Sequence, residues 1–505
     1  MIILVQATNA SIASPQSDRN RWIALVVLCV GMLMIVLDQT IVNVALPSIQ
    51  DDLGFSQSSL AWVVNAYLIT FGGLLLLAGR LGDLVGRKSI FMAGLALFII
   101  ASALCGLAQT EAMLVGARFL QGIGGAVTSA VILGMIVTMF PEPREQAKAI
   151  GVYSFVAAAG ASIGLLLGGV LTQALNWHWI FFVNVPIGLA TAFAASRLVD
   201  GDEGIGLEKG ADAIGAVLIT AALMLGVYTI VEPAAKDGWG APLTLGLGAA
   251  SLGLLAAFIA REATAHTPLI PLRIFRSRNV SGANAVEALF VAGMFGMFFL
   301  GSLYMERVLG YTALEIGLAF LPVALAIGVL SLGFSERLNM RFGAKPTLLA
   351  GQVLILGGLI LFATTPVQSS YVSDLLPSML LLGIGAGLSF PSLMTLAMSS
   401  ATQEDSGLAS GLVNTSLQVG GALGLAVLAT LSSSRTEDLL ASGSSQAVAL
   451  TDGFQLAFWI GAGLVAAAIA VTALVVRGGA AQPELAEVAP EGETEAREPA
   501  YSEAA

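Results

Sequence analysis

Stretches long and apolar enough to cross a bilayer recur fourteen times along this chain. They lie near 22–46, 59–79, 89–108, 113–139, 146–172, 178–200, 211–231, 241–262, 279–305, 313–333, 346–366, 374–399, 407–431 and 453–477. A helix that spans the hydrocarbon core needs about 20 such residues. Lipid offers no partner for backbone polar groups, so spans of this length must be helices. The predicted fold class is therefore an all-α integral membrane protein. Composition agrees: 11% of the 505 residues are charged and 56% are hydrophobic, whereas a soluble domain carries about 25% charged residues. A large water-soluble enzyme is excluded. The 58 glycines suit helices packed backbone to backbone in a membrane. Cys29 and Cys105 both sit in apolar runs, which predicts neither a disulfide scaffold nor a metal site.

Orientation follows from Lys and Arg in the short loops. With the amino terminus inside, eighteen of the 22 fall in inside segments, while Lys236, Arg307 and Arg435 fall outside and Arg118 lies within a span. Both termini are expected in the cytoplasm of a multi-pass inner (plasma) membrane protein. The first fifteen residues have neither a long apolar core nor a basic start, so no signal peptide is expected there. The end after Gly479 holds seven Glu and one Arg, six of the eleven net negative charges, a composition that predicts disorder.

The acidic loop 200–210 and the basic loop 262–278 bracket two spans with little internal polarity. The predicted organisation is a cytoplasmic segment 1–21, a six-helix bundle 22–200, two inserted helices with linkers over 201–278, a second six-helix bundle 279–477 and an acidic tail 478–505. Transporters are often built from two such halves with the binding site between them. A degraded repeat points the same way. Gly79-Arg80-Leu81-Gly82-Asp83-Leu84-Val85-Gly86-Arg87-Lys88 follows the second span, and Glu336-Arg337-Leu338-Asn339-Met340-Arg341-Phe342-Gly343 follows the tenth. If Gly86 matches Gly343, Met340 stands where Asp83 does.

The first of these loops is a candidate gate. Glycines permit a tight turn, and Asp83 among Arg80, Arg87 and Lys88 can pair with an arginine and with a helix amino terminus. Gly79, Asp83, Gly86, Arg87, Lys88 and Arg144 are the residues assigned to it; the plainer reading is a basic inside loop. Charges within spans are costly and mark function. Asp38 lies about 24 Å along the first span and Arg118 about 8 Å from the outer end of the fourth, so the two can face one another. That places a proton-coupling pair or a static ion pair. Glu287 lies about 12 Å into the ninth span, where an acid could take a substrate's positive charge or a second proton, or simply hydrogen-bond within its helix. Asn43, Tyr67, Gln121, Asn184, Asn284, Asn414 and Gln418 could line a cavity or bond between helices. Met294, Met297 and the neighbouring Phe290, Phe295, Phe298 and Phe299 form an adaptable apolar wall or a lipid-facing one. There is no Gly-x-x-x-x-Gly-Lys-Ser/Thr loop for ATP, no metal-ligand pattern around His178 or His266, and no basic-aromatic surface for nucleic acid. No cofactor is expected.

Several motifs together resemble one family. The loop 79–88 looks like the signature between helices two and three of the major facilitator superfamily. Leu37-Asp38-Gln39-Thr40-Ile41-Val42-Asn43-Val44-Ala45-Leu46-Pro47 resembles the first-helix motif of its fourteen-span drug–proton antiporter branch. Arg118-Phe119-Leu120-Gln121-Gly122-Ile123-Gly124-Gly125-Ala126 resembles the fourth-helix motif, whose arginine is implicated in proton coupling. Trp177-His178-Trp179-Ile180-Phe181-Phe182-Val183-Asn184-Val185-Pro186-Ile187-Gly188 matches the start of helix six, and Gly407-Leu408-Ala409-Ser410-Gly411 with Asn414, Gln418 and Gly420 is similar to helix thirteen. The fifth-helix antiporter motif is represented by Gly160, Gly164, Gly168 and Gly169, with Leu165 where the family usually has proline, so that a kink there would have to come from the glycines. The resemblance, over roughly 20–430, implies two six-helix bundles rocking around a midplane cavity. It implies proton-coupled secondary active export of lipophilic, cationic drugs or toxic metabolites, with a small-molecule substrate, protons and the lipid bilayer as partners and neither nucleic acid nor ATP. The alternatives are an importer or exporter of one specific metabolite with the same fold, or a membrane enzyme or sensor.

Overall fold

The computed structural model describes residues 15–202, 204, 206, 208, 210–398 and 406–477. The tail 478–505 and most of segment 1–21 lie outside them, as do the side chain of Arg144 and those of 406–410. The described residues are helical throughout, with no strand among them. Each of the fourteen apolar stretches falls on a helix: α1 (Pro15–Leu53), α2 (Trp62–Val85), α3 (Arg87–Gly106), α4 (Glu111–Met139), α5 (Pro143–Ala174), the broken pair α6 (Trp179–Phe182) and α7 (Asn184–Leu198), α8 (Ala213–Val231), α10 (Pro242–Thr264), α11 (Arg278–Arg307), α12 (Ala313–Val329), α14 (Ala344–Ala363), α15 (Leu376–Met398), α16 (Ser406–Ala441) and α17 (Gln446–Leu474). The short helices α9 (Pro233–Asp237) and α13 (Ser335–Phe342) complete the order. Twelve helices are long and apolar enough to cross a membrane, while the described apolar parts of α5 and α12 are shorter, at Ile163–Ala174 and Ala313–Val329. Side chains cap several helices. Thr110 accepts from Met113 N, Asp212 from Gly215 N and Ser277 from Val280 N. Thr312 and Glu315 form a reciprocal capping box, which gives Glu315 a structural task at a helix start.

One pairing pattern occurs twice. In α1–α7, α1 packs on α5 and α7, α4 on α2 and α3, and α3 on α7. In α11–α17, α11 packs on α16 and α17, α15 on α12 and α14, and α14 on α17. The two sets meet chiefly along two seams, α2 against α16 and α5 against α12, and α1 also touches α11 and α12. The repeat also shows in the backbone. Gly86 and Gly343 both have positive φ, +109° and +89°, and each immediately precedes a helix, α3 or α14. A side chain would be strained at both. Helices α8 and α10 form a hairpin outside this scheme. α8 lies against α2 and α16, while α10 packs along α8.

Glycines make the seams and bundles close. The glycine helix α5 runs unbroken. Its glycines serve backbone approach rather than a kink: a Cβ on Gly164 would sit 2.0 Å from Thr40 Oγ1, and one on Gly168 2.7 Å from the Ile41 carbonyl, both on α1. Gly160 meets Leu33 and Val36 of the same helix, and Gly169 meets the backbone of α12 at Ala313. Between α11 and α16, a Cβ on Gly424 would lie 2.3 Å from Ala292 Cα. Gly424→Val is therefore expected to cost about 3 kcal/mol, seen as a lower thermal midpoint of the purified protein in micelles. The neighbouring backbone has nowhere to go.

Candidate functional site

Within the first set, four helices converge on Asp38. Arg118 and Gln121 stand three residues apart on α4 and so share a face. Ser102 and Cys105 do the same on α3, and Asn184 stands where α7 begins, just after the break at Val183. Arg118 Nη1 donates to Asp38 Oδ2 at 2.6 Å and to Gln121 Oε1 at 2.7 Å, and its Nε donates to the Val63 carbonyl at 2.9 Å. Asp38 Oδ1 accepts from Gln121 Nε2 at 2.7 Å and from Asn184 Nδ2 at 2.8 Å. Both amide nitrogens also reach Ser102 Oγ at 3.1 Å, and that hydroxyl donates to the Phe181 carbonyl. The guanidinium lies 4.4 Å from the Tyr67 ring centroid and 5.7 Å from that of Phe181.

Asp38 is 0% exposed and Arg118 1%. Desolvating two such charges costs several kcal/mol each, and only good geometry with satisfied hydrogen bonds offsets it. Every group that touches the carboxylate here donates to it. The sequence placed Asp38 and Arg118 face to face, and they are. It left Gln121 and Asn184 as either cavity-lining or interhelical hydrogen-bonding residues, and both bond to Asp38 across helices. Ser102 was not singled out, and Cys105, noted only as lying in an apolar run, reaches Gln121 Oε1 with its thiol at 3.5 Å. Their spacing on the buried face of α3 was the available signal.

Glu287 is 1% exposed on α11, and both of its carboxyl oxygens are buried without a hydrogen bond among the described residues. One turn earlier, Asn284 Nδ2 donates to its own helix at Val280, and Asn284 Oδ1 accepts from Ser416 of α16. Asn43 is likewise tied to the carbonyls of Gln39 and Thr40. Gln418 faces α2 at Gly72 and leaves its Oε1 without a hydrogen bond among the described residues. Asn414 is exposed. The aromatic wall is largely internal. Phe290, Met294, Met297 and Phe299 are buried, with the Phe290 ring 5.0 Å from that of Phe390.

The loop between α2 and α3 is braced on several sides. Arg87 pairs with Asp83 at 3.0 Å and donates to Thr138 Oγ1 and the Gly134 carbonyl of α4. Lys88 Nζ donates to the Ser196 carbonyl, and a Cβ on Gly79 would just touch Ala130. Sequence reasoning missed Asp202, whose carboxylate accepts from the backbone N–H groups of Arg87 and Lys88 at 3.0 and 3.2 Å and so caps α3. Partial burial pushes this carboxyl up, but those two donors and the Arg87 charge outweigh it and hold the group below the ordinary carboxylate range. Its contact is therefore at full strength near neutral pH and is lost only as pH falls through the lowered value. The same linker gives Gly206 N to the Leu84 carbonyl and accepts Arg80 Nε at Gly210. The linker into α8 is thus fastened to this loop.

At the opposite end of the bundle the two sets are tied together. Arg307 of α11 forms an ion pair with Asp51 and reaches Gln50 Oε1. Gln57 donates to Ser432 Oγ at 3.3 Å, and Gln173 Oε1 accepts from Leu314 N at 3.3 Å.

Residues 28–425 match the Major Facilitator Superfamily profile. The chain is 37% identical over 468 residues to the puromycin resistance protein pur8 of Streptomyces alboniger, covering 91% of this chain and 92% of that one. It is 38% identical over 415 residues to the cephamycin export protein CmcT of Amycolatopsis lactamdurans, covering 82% and 85%. In fold it is similar to the crystal structure of a bacterial homologue of the human lysosomal transporter Spinster, with a TM-score of 0.64 at 16% identity, over 90% of this chain and 97% of that one. With twelve helices among the described residues long and apolar enough to cross a membrane, and matched over these lengths, the chain belongs to the major facilitator superfamily and is a membrane transporter rather than an enzyme.

Proposed function

We propose that this chain exports lipophilic, cationic drugs or toxic metabolites, driven by protons moving inward. The observation that carries this is the buried Asp38–Arg118 pair with its amide donors. Within an apolar bundle, a carboxyl beside an arginine that can take up and release a proton is a means of coupling. Relatives named for antibiotic resistance and export supply the direction. On this reading all fourteen apolar helices cross the plasma membrane, both termini are cytoplasmic, and the chain belongs to the drug–proton antiporter branch. Residues 22–200 and 279–477 are the two rocking bundles, and 201–278 supplies the inserted hairpin. Glu287 faces the substrate: a charge there would be uncompensated, so the position suits a second proton or the positive group of a drug. Gly79, Asp83, Gly86, Arg87 and Lys88 around the α2–α3 loop, with Arg144 at the start of α5, form the inner gate.

The test is a drug-susceptibility panel in a pump-deficient host, repeated with a protonophore. Expression should raise resistance to several lipophilic cations, and the protonophore should remove the gain. Resistance that survives the protonophore would rule out proton drive. A second reading is export of one metabolite, favoured by relatives named for single antibiotics. Protection against one compound alone would select it.

Arg307 and Asp51 latch the outer ends of the two bundles together. Arg307→Ala should speed labelling of a cysteine placed at Leu303 by a membrane-impermeant thiol reagent. The expected gain is about fivefold, because a partly exposed pair is worth about 1 kcal/mol. An unchanged rate would remove the latch from the account.

A further inference from the structure

Asp38 must be held in two chemical forms if it carries a proton, and its partners differ in how they can serve the second form. In the observed arrangement Oδ1 faces two N–H donors, from Gln121 and Asn184. Once that oxygen gains a proton it becomes a donor itself, and one of the two amides must then present an oxygen. Gln121 cannot turn. Its Oε1 is already held by Arg118 Nη1 and approached by the Cys105 thiol, and its Nε2 also serves Ser102. Asn184 can: its Oδ1 is buried without a hydrogen bond among the described residues. An idle acceptor on a side chain whose nitrogen already touches the carboxylate calls for an explanation.

Given the proton-site reading of Asp38, we infer that Asn184 is its protonation-responsive positioning residue. When a hydronium ion gives up a proton, its O–H bond breaks, water leaves and an O–H bond forms on Asp38 Oδ1. The Asn184 amide then rotates so that Oδ1 accepts from that O–H while Nδ2 withdraws. The rotation gives up one hydrogen bond to Ser102, whose hydroxyl keeps Gln121 Nε2 and the Phe181 carbonyl as partners. Deprotonation reverses the turn. Asn184 thereby stabilises both forms, and Arg118 can keep its contact with Oδ2 throughout. The break between α6 and α7 places this residue at a helix start.

The test is a pH-jump infrared difference spectrum of the full-length protein in lipid vesicles. The wild type should show a carboxylic C=O band that Asp38→Asn removes, accompanied by a side-chain amide C=O band. Asn184→Ser should remove the amide band and leave the carboxylic band at a shifted position. A purely structural asparagine would give no amide band that follows protonation. In everted vesicles, Asn184→Leu should slow proton-driven efflux about tenfold, as the loss of one hydrogen bond to a charged group implies, with partial rescue by Asn184→Ser. An amide band that persists in Asn184→Ser, or a wild-type carboxylic band with no amide band beside it, overturns the inference. If Asp38→Asn removes no band, the proton-site reading falls and the switch with it; the carboxylic band alone tells the two failures apart.

Discussion

Arg118→Ala is expected to cost about 3–5 kcal/mol of stability and to abolish transport. The side chain is buried, and its guanidinium neutralises Asp38 while bonding Gln121 and the Val63 carbonyl. Its removal leaves a buried carboxylate, a backbone carbonyl and an amide oxygen each short of a donor. The loss should appear as a lower thermal midpoint and poor recovery from membranes. Pairing the change with its partner separates fold from function. Buried ion pairs replaced by apolar groups of similar size are often neutral in stability. The double variant Asp38→Asn with Arg118→Met should therefore regain most of the thermal midpoint and none of the transport. A double variant as unstable as Arg118→Ala would mean that packing around Tyr67 and Phe181, rather than charge, dominates at this position.

Asp38→Asn should lower proton-driven efflux in everted vesicles to the level of vesicles that lack the protein, while the protein still folds. Asparagine keeps the shape and one acceptor oxygen, so Gln121 and Asn184 retain a partner. What is lost is the ability to take up and release a proton. Arg118 keeps Gln121 and Val63 as acceptors, so the expected fall in stability is smaller than for Arg118→Ala. Unchanged efflux in this variant would move the proton site elsewhere, with Glu287 the next acid to examine.

How much of this was legible from residues alone follows from how residues signal. An acid and an arginine inside apolar runs stand out because lipid makes them costly. Helical rise then gives their depths to within a turn, enough to set Asp38 opposite Arg118. Gly86 and Gly343 were legible as a pair because the turn before each following helix needs positive φ. Ser102 and Cys105 were not, since a small polar group in a membrane helix costs little and blends with its neighbours. Asp202 gave no signal either. A loop acid becomes a helix cap only through a tertiary contact more than a hundred residues away. Gln121 and Asn184 were legible as buried polar groups but not as partners of Asp38, because which residue an amide reaches depends on how four helices meet. Glu315 is exposed and closes a capping box with Thr312, a task that only the helix start at Ala313 assigns to it. The glycines of α5 were read against a missing proline and a kink, yet what they secure is contact with α1 and α12.

The central claim is that Asp38 exchanges a proton as substrate is handled. It is tested most directly by adding tetraphenylphosphonium, a lipophilic cation, to purified protein in weakly buffered micelles and following pH with an indicator dye. The account predicts proton release from the wild type and none from Asp38→Asn, with binding of the cation measured in both. Equal release from the two proteins would contradict it.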